Sequence, residues 1–195
     1  MIRTNDVIEF FDRLAPDWDA DMIRREDVIA KILDNAEVSA GKSVLDVACG
    51  TGVLIPDYLA RGVSSVTAID IAPSMAQIAR EKFAGQPNVT VLCGDAESTD
   101  FGRKFDCIVL YNAFPHFPDP ERLVRRLADL LEEGGVLTVA HGFSRAEINA
   151  HHHGGAQYVS NGLIPASDLA ELFAKVLRVT ATVEDDRMYQ VAGKK

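Results

Sequence analysis

The sequence has no apolar run close to the roughly 18 or more residues that a membrane-spanning helix needs, so no membrane insertion is expected. The opening Met1-Ile2-Arg3-Thr4-Asn5-Asp6 lacks an apolar h-region and a small-residue cleavage site, and is not expected to act as a secretory signal. Cysteine is scarce. The three present, Cys49, Cys93 and Cys107, are an odd number without metal-type spacing, and read as reduced core thiols of a cytoplasmic protein. Basic residues are also short: 20 Lys and Arg stand against 29 Asp and Glu, for a net charge of -9. Phosphate backbones are held by clustered Lys and Arg, so a nucleic-acid partner is not expected. Internal repeats and low-complexity linkers are absent, and 195 residues with 47% hydrophobic content suffice for one domain with a proper core. The sequence carries no mark of oligomeric state.

What is present is an alternation of strands and helices centred on Val44-Leu45-Asp46-Val47-Ala48-Cys49-Gly50-Thr51-Gly52. This reads as a short apolar strand running into a glycine turn, with a helix beginning near Val53 and closed by Gly62. Before it, helices are expected over Val7–Leu14 and from about Met22 to Asn35, the second with Ile23, Val28, Ile29, Ile32 and Leu33 as its apolar stripe. After it follow strands at Ser65–Ile69, Val89–Cys93, Phe105–Tyr111 and Val136–Ala140, with helices from Pro73 and Pro120 between them. Ser144-Arg145-Ala146-Glu147 has the form of a capping box and starts a helix to about His153. A helix from about Ala166 to Val176 precedes two β-rich runs, Arg178–Val183 and Met188–Ala192, that read as an antiparallel hairpin. The near-continuous apolar strands imply a mostly parallel sheet covered on both faces, with ligands at its carboxyl edge.

Four polar residues mark that edge: Asp46, Asp70, Asp95 and Asn112 each stand at the end of one of the first four strands. One such acid could be a helix cap. Three acids and an amide beside a Gly-x-Gly turn are more specific. From about Ser43 to His141 the order and spacing resemble the class I S-adenosylmethionine-dependent methyltransferases, and the closing hairpin is also typical of that fold. The resemblance implies a Rossmann-like α/β fold with a seven-stranded, mostly parallel sheet, helices on both faces and a C-terminal antiparallel hairpin. It also implies that the whole chain is one methyltransferase domain. Within it, residues 1–40 would form an N-terminal helical lid, 41–141 the cofactor-binding core, and 142–195 the substrate-side helices and hairpin.

On this resemblance the cofactor is S-adenosyl-L-methionine, held by Asp46, Ala48, Cys49, Gly50 and Gly52 around the turn. Ala48 stands where many members have glycine, a departure of one methyl. Asp70 matches the acceptor of both ribose hydroxyls and Ile71 the apolar residue on the adenine face. Asp95 and Ala96 match the pair beside the adenine, and Asn112 and Ala113 the opening towards the methyl donor. Phe11-Asp12-Arg13-Leu14-Ala15-Pro16-Asp17-Trp18-Asp19 resembles the opening of quinone-biosynthesis methyltransferases, which makes Phe11 and Trp18 lid or substrate contacts. The acceptor expected is a small molecule: the segment after the fourth strand, Asn112-Ala113-Phe114-Pro115, lacks the Asn/Asp-Pro-Pro-aromatic signature of enzymes that hold a flipped base. The short insert before the hairpin favours a compact acceptor.

A nicotinamide or flavin oxidoreductase is the rival on the same sheet, but its Gly-x-Gly-x-x-Gly turn is not met, since Leu54 or Ile55 stands at the third glycine. A Walker loop is excluded by the missing Gly-Lys-Ser/Thr ending. A non-catalytic S-adenosylmethionine-binding protein is the other alternative. All five histidines follow the fourth or fifth strand, and a neutral imidazole there suits removal of an acceptor's proton. His116 and His141 are the candidates for catalysis and His151 for substrate contact. His151-His152-His153 before Gly154-Gly155 suits a helix C-terminus, or a metal site together with His141. No metal is assigned.

Overall fold

The structure is a computed structural model and describes residues 2–20, 22–152 and 157–195, except the side chains of His151 and His152. Its seven strands are β1 (Ser43–Val47), β2 (Ser65–Asp70), β3 (Val89–Cys93), β4 (Phe105–Tyr111), β5 (Leu131–His141), β6 (Arg178–Glu184) and β7 (Tyr189–Lys194). They form one sheet in the order β3-β2-β1-β4-β5-β7-β6. The first five pair in parallel, and β7 runs antiparallel to both β5 and β6. The helices are α1 (Thr4–Leu14), α2 (Glu26–Asn35), α3 (Ile55–Ala60), α4 (Pro73–Lys82), α5 (Pro120–Asp129), α6 (Arg145–His152) and α7 (Ala166–Ala174).

The apolar character of the strands follows from cover on both faces. Leu45 and Val47 of β1 pack with Leu123, Leu127, Leu169 and Phe173 of α5 and α7. Val44, the alternate residue, packs on the other face with Ile29 and Leu33 of α2 and Ile55 and Tyr58 of α3. A strand with period-two side chains buried on each face must be apolar throughout, so Asp46, in the middle of this buried strand, is an exception that calls for a reason.

The strand order reverses between β1 and β4, which are neighbours although β2 and β3 intervene in sequence. Crossovers leave to one side for β2 and β3 and to the other for β5, so a crevice opens at the carboxyl ends of β1 and β4, the switch point of such sheets.

Three local expectations are corrected. Helix α2 begins at Glu26 and not near Met22; Ile23 lies before it and is 69% exposed, so it is no part of the buried stripe. Strand β5 begins at Leu131 and passes through Gly134 and Gly135, because Leu131 already pairs with Phe105 ahead of a register shift. Cys93 is exposed, while Cys49 and Cys107 are buried; β3 is an edge strand, covered less than β2 beside it.

Candidate active site

The turn after β1 is a run of left-handed backbone: Ala48, Gly50 and Gly52 have φ of 54°, 56° and 85°. Glycine takes this conformation freely. Ala48 does so with a Cβ, so the departure from glycine carries backbone strain as well as a methyl group. The turn is pinned from β2. Asp70 accepts from the Gly50 amide through Oδ2 (2.8 Å) and from the Ala72 amide through Oδ1 (2.9 Å). One carboxylate thus fixes both the glycine turn and the entry to α4. Gly52 has another reason: a Cβ there would lie 2.6 Å from Phe83 Cε2 and 3.0 Å from Ile55 Cδ1. It does not line the cavity. Its place is packing beneath the turn.

A cavity of about 460 Å³ opens over this turn. Asp46, Ala48, Cys49, Gly50, Asp70, Ile71, Asp95, Ala96, Asn112 and Ala113 all line it. Asp95 is held by the Glu97 amide on Oδ1 (2.9 Å). Asn112, at φ 55°, tolerates a left-handed backbone as few other residues do, and its Oδ1 accepts from the Gly142 amide (2.9 Å), tying the end of β4 to the end of β5. The N-terminal segment forms the opposite wall. Asp12 Oδ1 accepts from the Ser74 amide at the start of α4 (2.7 Å), Asp19 accepts from Thr51 Oγ1 (2.6 Å) and Lys82 Nζ (2.9 Å), and Arg24 donates to Asp57 and to the Val53 carbonyl. Each bond joins residues 12–24 to an element that builds the glycine turn or its flank.

The electrostatics centre on Asp46. Burial pushes its carboxyl up to about 8; the neighbouring Tyr58 hydroxyl works the other way, and the charge of Asp70 adds to the rise. Among the described residues its Oδ2 is buried without a hydrogen-bond partner. Burial likewise raises Asp70, opposed by the Ala72 and Gly50 amides. It raises the Cys49 thiol well above its ordinary value, helped by Asp46 and Asp70, so this thiol is a packing group and not a nucleophile.

Of the histidines, His116 lines the cavity. Its ring stands edge-to-face on Phe11 at 4.9 Å, and Phe11 stands likewise on Trp18 at 5.7 Å. His141 is not brought there. Position 141 still lies within β5, paired with Tyr189, so its side chain enters the packed layer, 1% exposed and edge-to-face on the Tyr189 ring at 5.9 Å. The chain reaches the cavity two residues later, at Phe143. The side chain of His151 and the metal reading of His151-His152-His153 lie outside the described residues. Sequence reasoning missed Arg24, Met75, Glu97, Tyr111, Phe117, Arg122 and Phe143, which also line the cavity. Phe117 stood next to His116 and could have been found by proximity. Arg24 and Arg122 carry no local signal, since their places come from tertiary packing.

Residues 44–135 match the methyltransferase domain family. Among curated proteins, the chain is 34% identical over 130 residues to a malonyl-[acyl-carrier protein] O-methyltransferase of Acetivibrio thermocellus, covering 65% of this chain and 46% of that one. It is 32% identical over 137 residues to a ubiquinone biosynthesis O-methyltransferase of Coxiella burnetii, covering 69% and 58%. Over this region the chain is similar to the S-adenosylmethionine-dependent methyltransferases. It spans about half the length of these curated relatives. The N-methyltransferase NodS of Bradyrhizobium japonicum, solved with S-adenosyl-L-homocysteine, shares the fold at a TM-score of 0.75 and 14% identity over 98% of both chains.

The cavity fits S-adenosylmethionine, the cofactor of such domains. S-adenosylmethionine carries an α-amino cation, vicinal ribose hydroxyls and an exocyclic amine, and all of these seek acceptors. Asp46, Asp70 and Asp95 line the cavity, and a carboxyl group in its ionised form only accepts. The unpartnered Oδ2 of buried Asp46 is the kind of atom a bound cation satisfies.

Proposed function

We propose that this protein transfers a methyl group from S-adenosylmethionine to a small-molecule acceptor and releases S-adenosylhomocysteine. The observation that carries this reading is the convergence of Asp46, Asp70, Asp95 and Asn112 on one cavity, in a chain of this family. Asp46 meets the methionyl amine, Asp70 the ribose hydroxyls, and Asp95 with Ala96 the adenine edge, while Ile71 packs on its face. Ala48, Cys49 and Gly50 give the bare backbone on which the methionyl part lies. Asn112 and Ala113 border the reacting methyl.

When bound, the cofactor supplies an electrophilic methyl on a sulfonium, whose leaving group is already good. The protein's share of the chemistry is therefore mainly alignment of acceptor and donor in a site closed to water. Residues 1–40 act as the lid, with Phe11 and Trp18 on its inner face; 41–141 hold the cofactor; 142–195 complete the acceptor side. His116 is the base at the acceptor. Among the described residues no helix is long and apolar enough to cross a membrane; the unpaired cysteines support a cytoplasmic enzyme, and the net charge of -9 disfavours a nucleic-acid partner.

Incubation with methyl-labelled S-adenosylmethionine and a panel of quinols, thiols, amines, carboxylates and metalloids tests this. Label in one small-molecule class, with equimolar S-adenosylhomocysteine, is expected. Tight cofactor binding without transfer to any class would point to a non-catalytic binding protein.

A further inference from the structure

We propose that Arg122 is a positioning residue for the purine of the cofactor, acting through Glu97; this rests on the methyl-transfer reading above. Beyond β3 the chain runs through Gly94-Asp95-Ala96-Glu97-Ser98-Thr99, and Asp95, Ala96 and Glu97 line the cavity. Strand β3 is at the edge, so the sheet supports this loop from one side only. Within the loop the bonds converge on Asp95. Its Oδ1 accepts from the Glu97 amide (2.9 Å), and its carbonyl accepts from the Thr99 amide (2.9 Å) and Thr99 Oγ1 (2.7 Å). These three bonds shape the loop, and none of them ties it to another element.

That tie comes from α5. Arg122 and Arg126 are four positions apart and share one face of the helix. Arg122 grips Glu97 as a fork, Nε to Oε2 (2.5 Å) and Nη2 to Oε1 (3.1 Å). Arg126 Nη2 donates to the Thr99 carbonyl (2.6 Å). The helix itself is fixed. Asp119 caps its first turn by accepting from the Arg122 amide (3.0 Å), and Leu123, Val124 and Leu127 are buried in the core. Two arms thus run from an anchored helix to two points of the turn that presents Asp95.

Exposure separates position from stability. The Arg122 side chain is 62% exposed, where an ion pair adds little to folding. The Glu97 side chain is 11% exposed beside the cavity, and a carboxylate so enclosed has to be paired. The pairing is bidentate, which holds both groups to one geometry. Oδ1 of Asp95 serves the loop, and its Oδ2 accepts from no described residue. An ionised carboxyl oxygen there receives an exocyclic amine and repels an oxo group. Adenine carries the amine, and hypoxanthine carries the oxo group at the same place. Such discrimination depends on where the carboxyl is held, because a displaced acceptor loses the bond from the donor. Arg122 therefore sets base selectivity from α5, through Glu97, away from the reacting atoms.

Calorimetric titration with S-adenosylhomocysteine and its deaminated analogue, S-inosylhomocysteine, tests this. The wild type is expected to bind the adenine compound about tenfold or more tighter. In Arg122→Met that ratio should shrink to about threefold or less, by a loss that falls mainly on the adenine compound. Arg122→Lys keeps the charge but not the fork, so its ratio should fall between the two, and it carries the reading if Arg122→Met does not fold. Adding Glu97→Met to Arg122→Met should narrow the ratio no further. An unchanged ratio, even with weaker binding of both ligands or a lower thermal midpoint, would show a structural role only and overturn the assignment. So would a wild type that does not discriminate, or a further narrowing in the double variant. Failure of S-adenosylhomocysteine to bind the wild type would instead refute the methyl-transfer reading itself.

Discussion

Asp46 and Ala48 are two residues apart and both sit at a cost, for different reasons. The carboxyl of Asp46 is raised to about 8 by burial, with Tyr58 opposing and Asp70 reinforcing. Its unfolded value is near 4, so between these limits the folded, ligand-free protein holds a proton that the unfolded chain has lost. This contribution to stability is complete below about pH 4 and is lost as pH rises through about 8. A bound cation favours the carboxylate, so the same group makes cofactor binding stronger as pH rises. Between about pH 5 and 7, affinity for S-adenosylhomocysteine is expected to increase by up to about tenfold per unit, with proton release that depends on Asp46. Calorimetry in buffers of different ionisation enthalpy reads this directly; pH-independent binding without proton release would contradict it. Ala48 at φ 54° predicts the opposite sign for a substitution. Left-handed alanine costs roughly 1–2 kcal/mol and glycine adds roughly 0.5–1 of its own in unfolded-state freedom, so Ala48→Gly should stabilise by about 0.5–1 kcal/mol in denaturant unfolding.

Among the elements, α4 shows how the N-terminal segment is fastened. Its N-cap, Ala72, has no capping side chain, and the amide of Ser74 is instead satisfied by Asp12 from α1. Loss of such a cap costs about 1 kcal/mol. Asp12→Ala should lower stability by that amount and also weaken S-adenosylhomocysteine binding, because α1 carries Phe11 into the cavity wall; a stability loss with unchanged affinity would mean that α1 does not close the site. Gly52→Ala places a methyl group against Phe83 and Ile55 in a left-handed turn, and is expected to destabilise by about 2–4 kcal/mol in thermal or urea unfolding. A change below about 0.5 kcal/mol would show that α4 can slide away from the turn.

At the scale of the whole molecule, the sheet was legible because the central strands β1, β4 and β5 are apolar on both faces and the units are closed by punctuation such as Gly62, Pro73 and Asn112. The proposed cofactor edge was legible because Asp46, Asp70 and Asp95 interrupt that pattern near or just past the carboxyl ends of β1, β2 and β3. The acceptor side was not. His141 looked equivalent to His116, yet one more strand residue, paired to Tyr189, turns its ring into the core. What orients His116 is the Val159 backbone carbonyl, 43 positions away and without any side-chain signal. Arg24 and Arg122 neutralise their own neighbours, a pairing only the folded chain reveals. The proposed donor site is therefore written in strand ends and the proposed acceptor site in tertiary contacts. The donor site comes first, because methyl transfer depends on it. Isothermal titration of the wild type, Asp70→Ala and Asp95→Ala with S-adenosylhomocysteine tests it most directly. One site per chain is predicted in the wild type, with affinity reduced about tenfold or more in each variant, in keeping with the loss of charge-assisted hydrogen bonds. Absence of binding by the wild type, or unchanged affinity in both folded variants, would contradict the account.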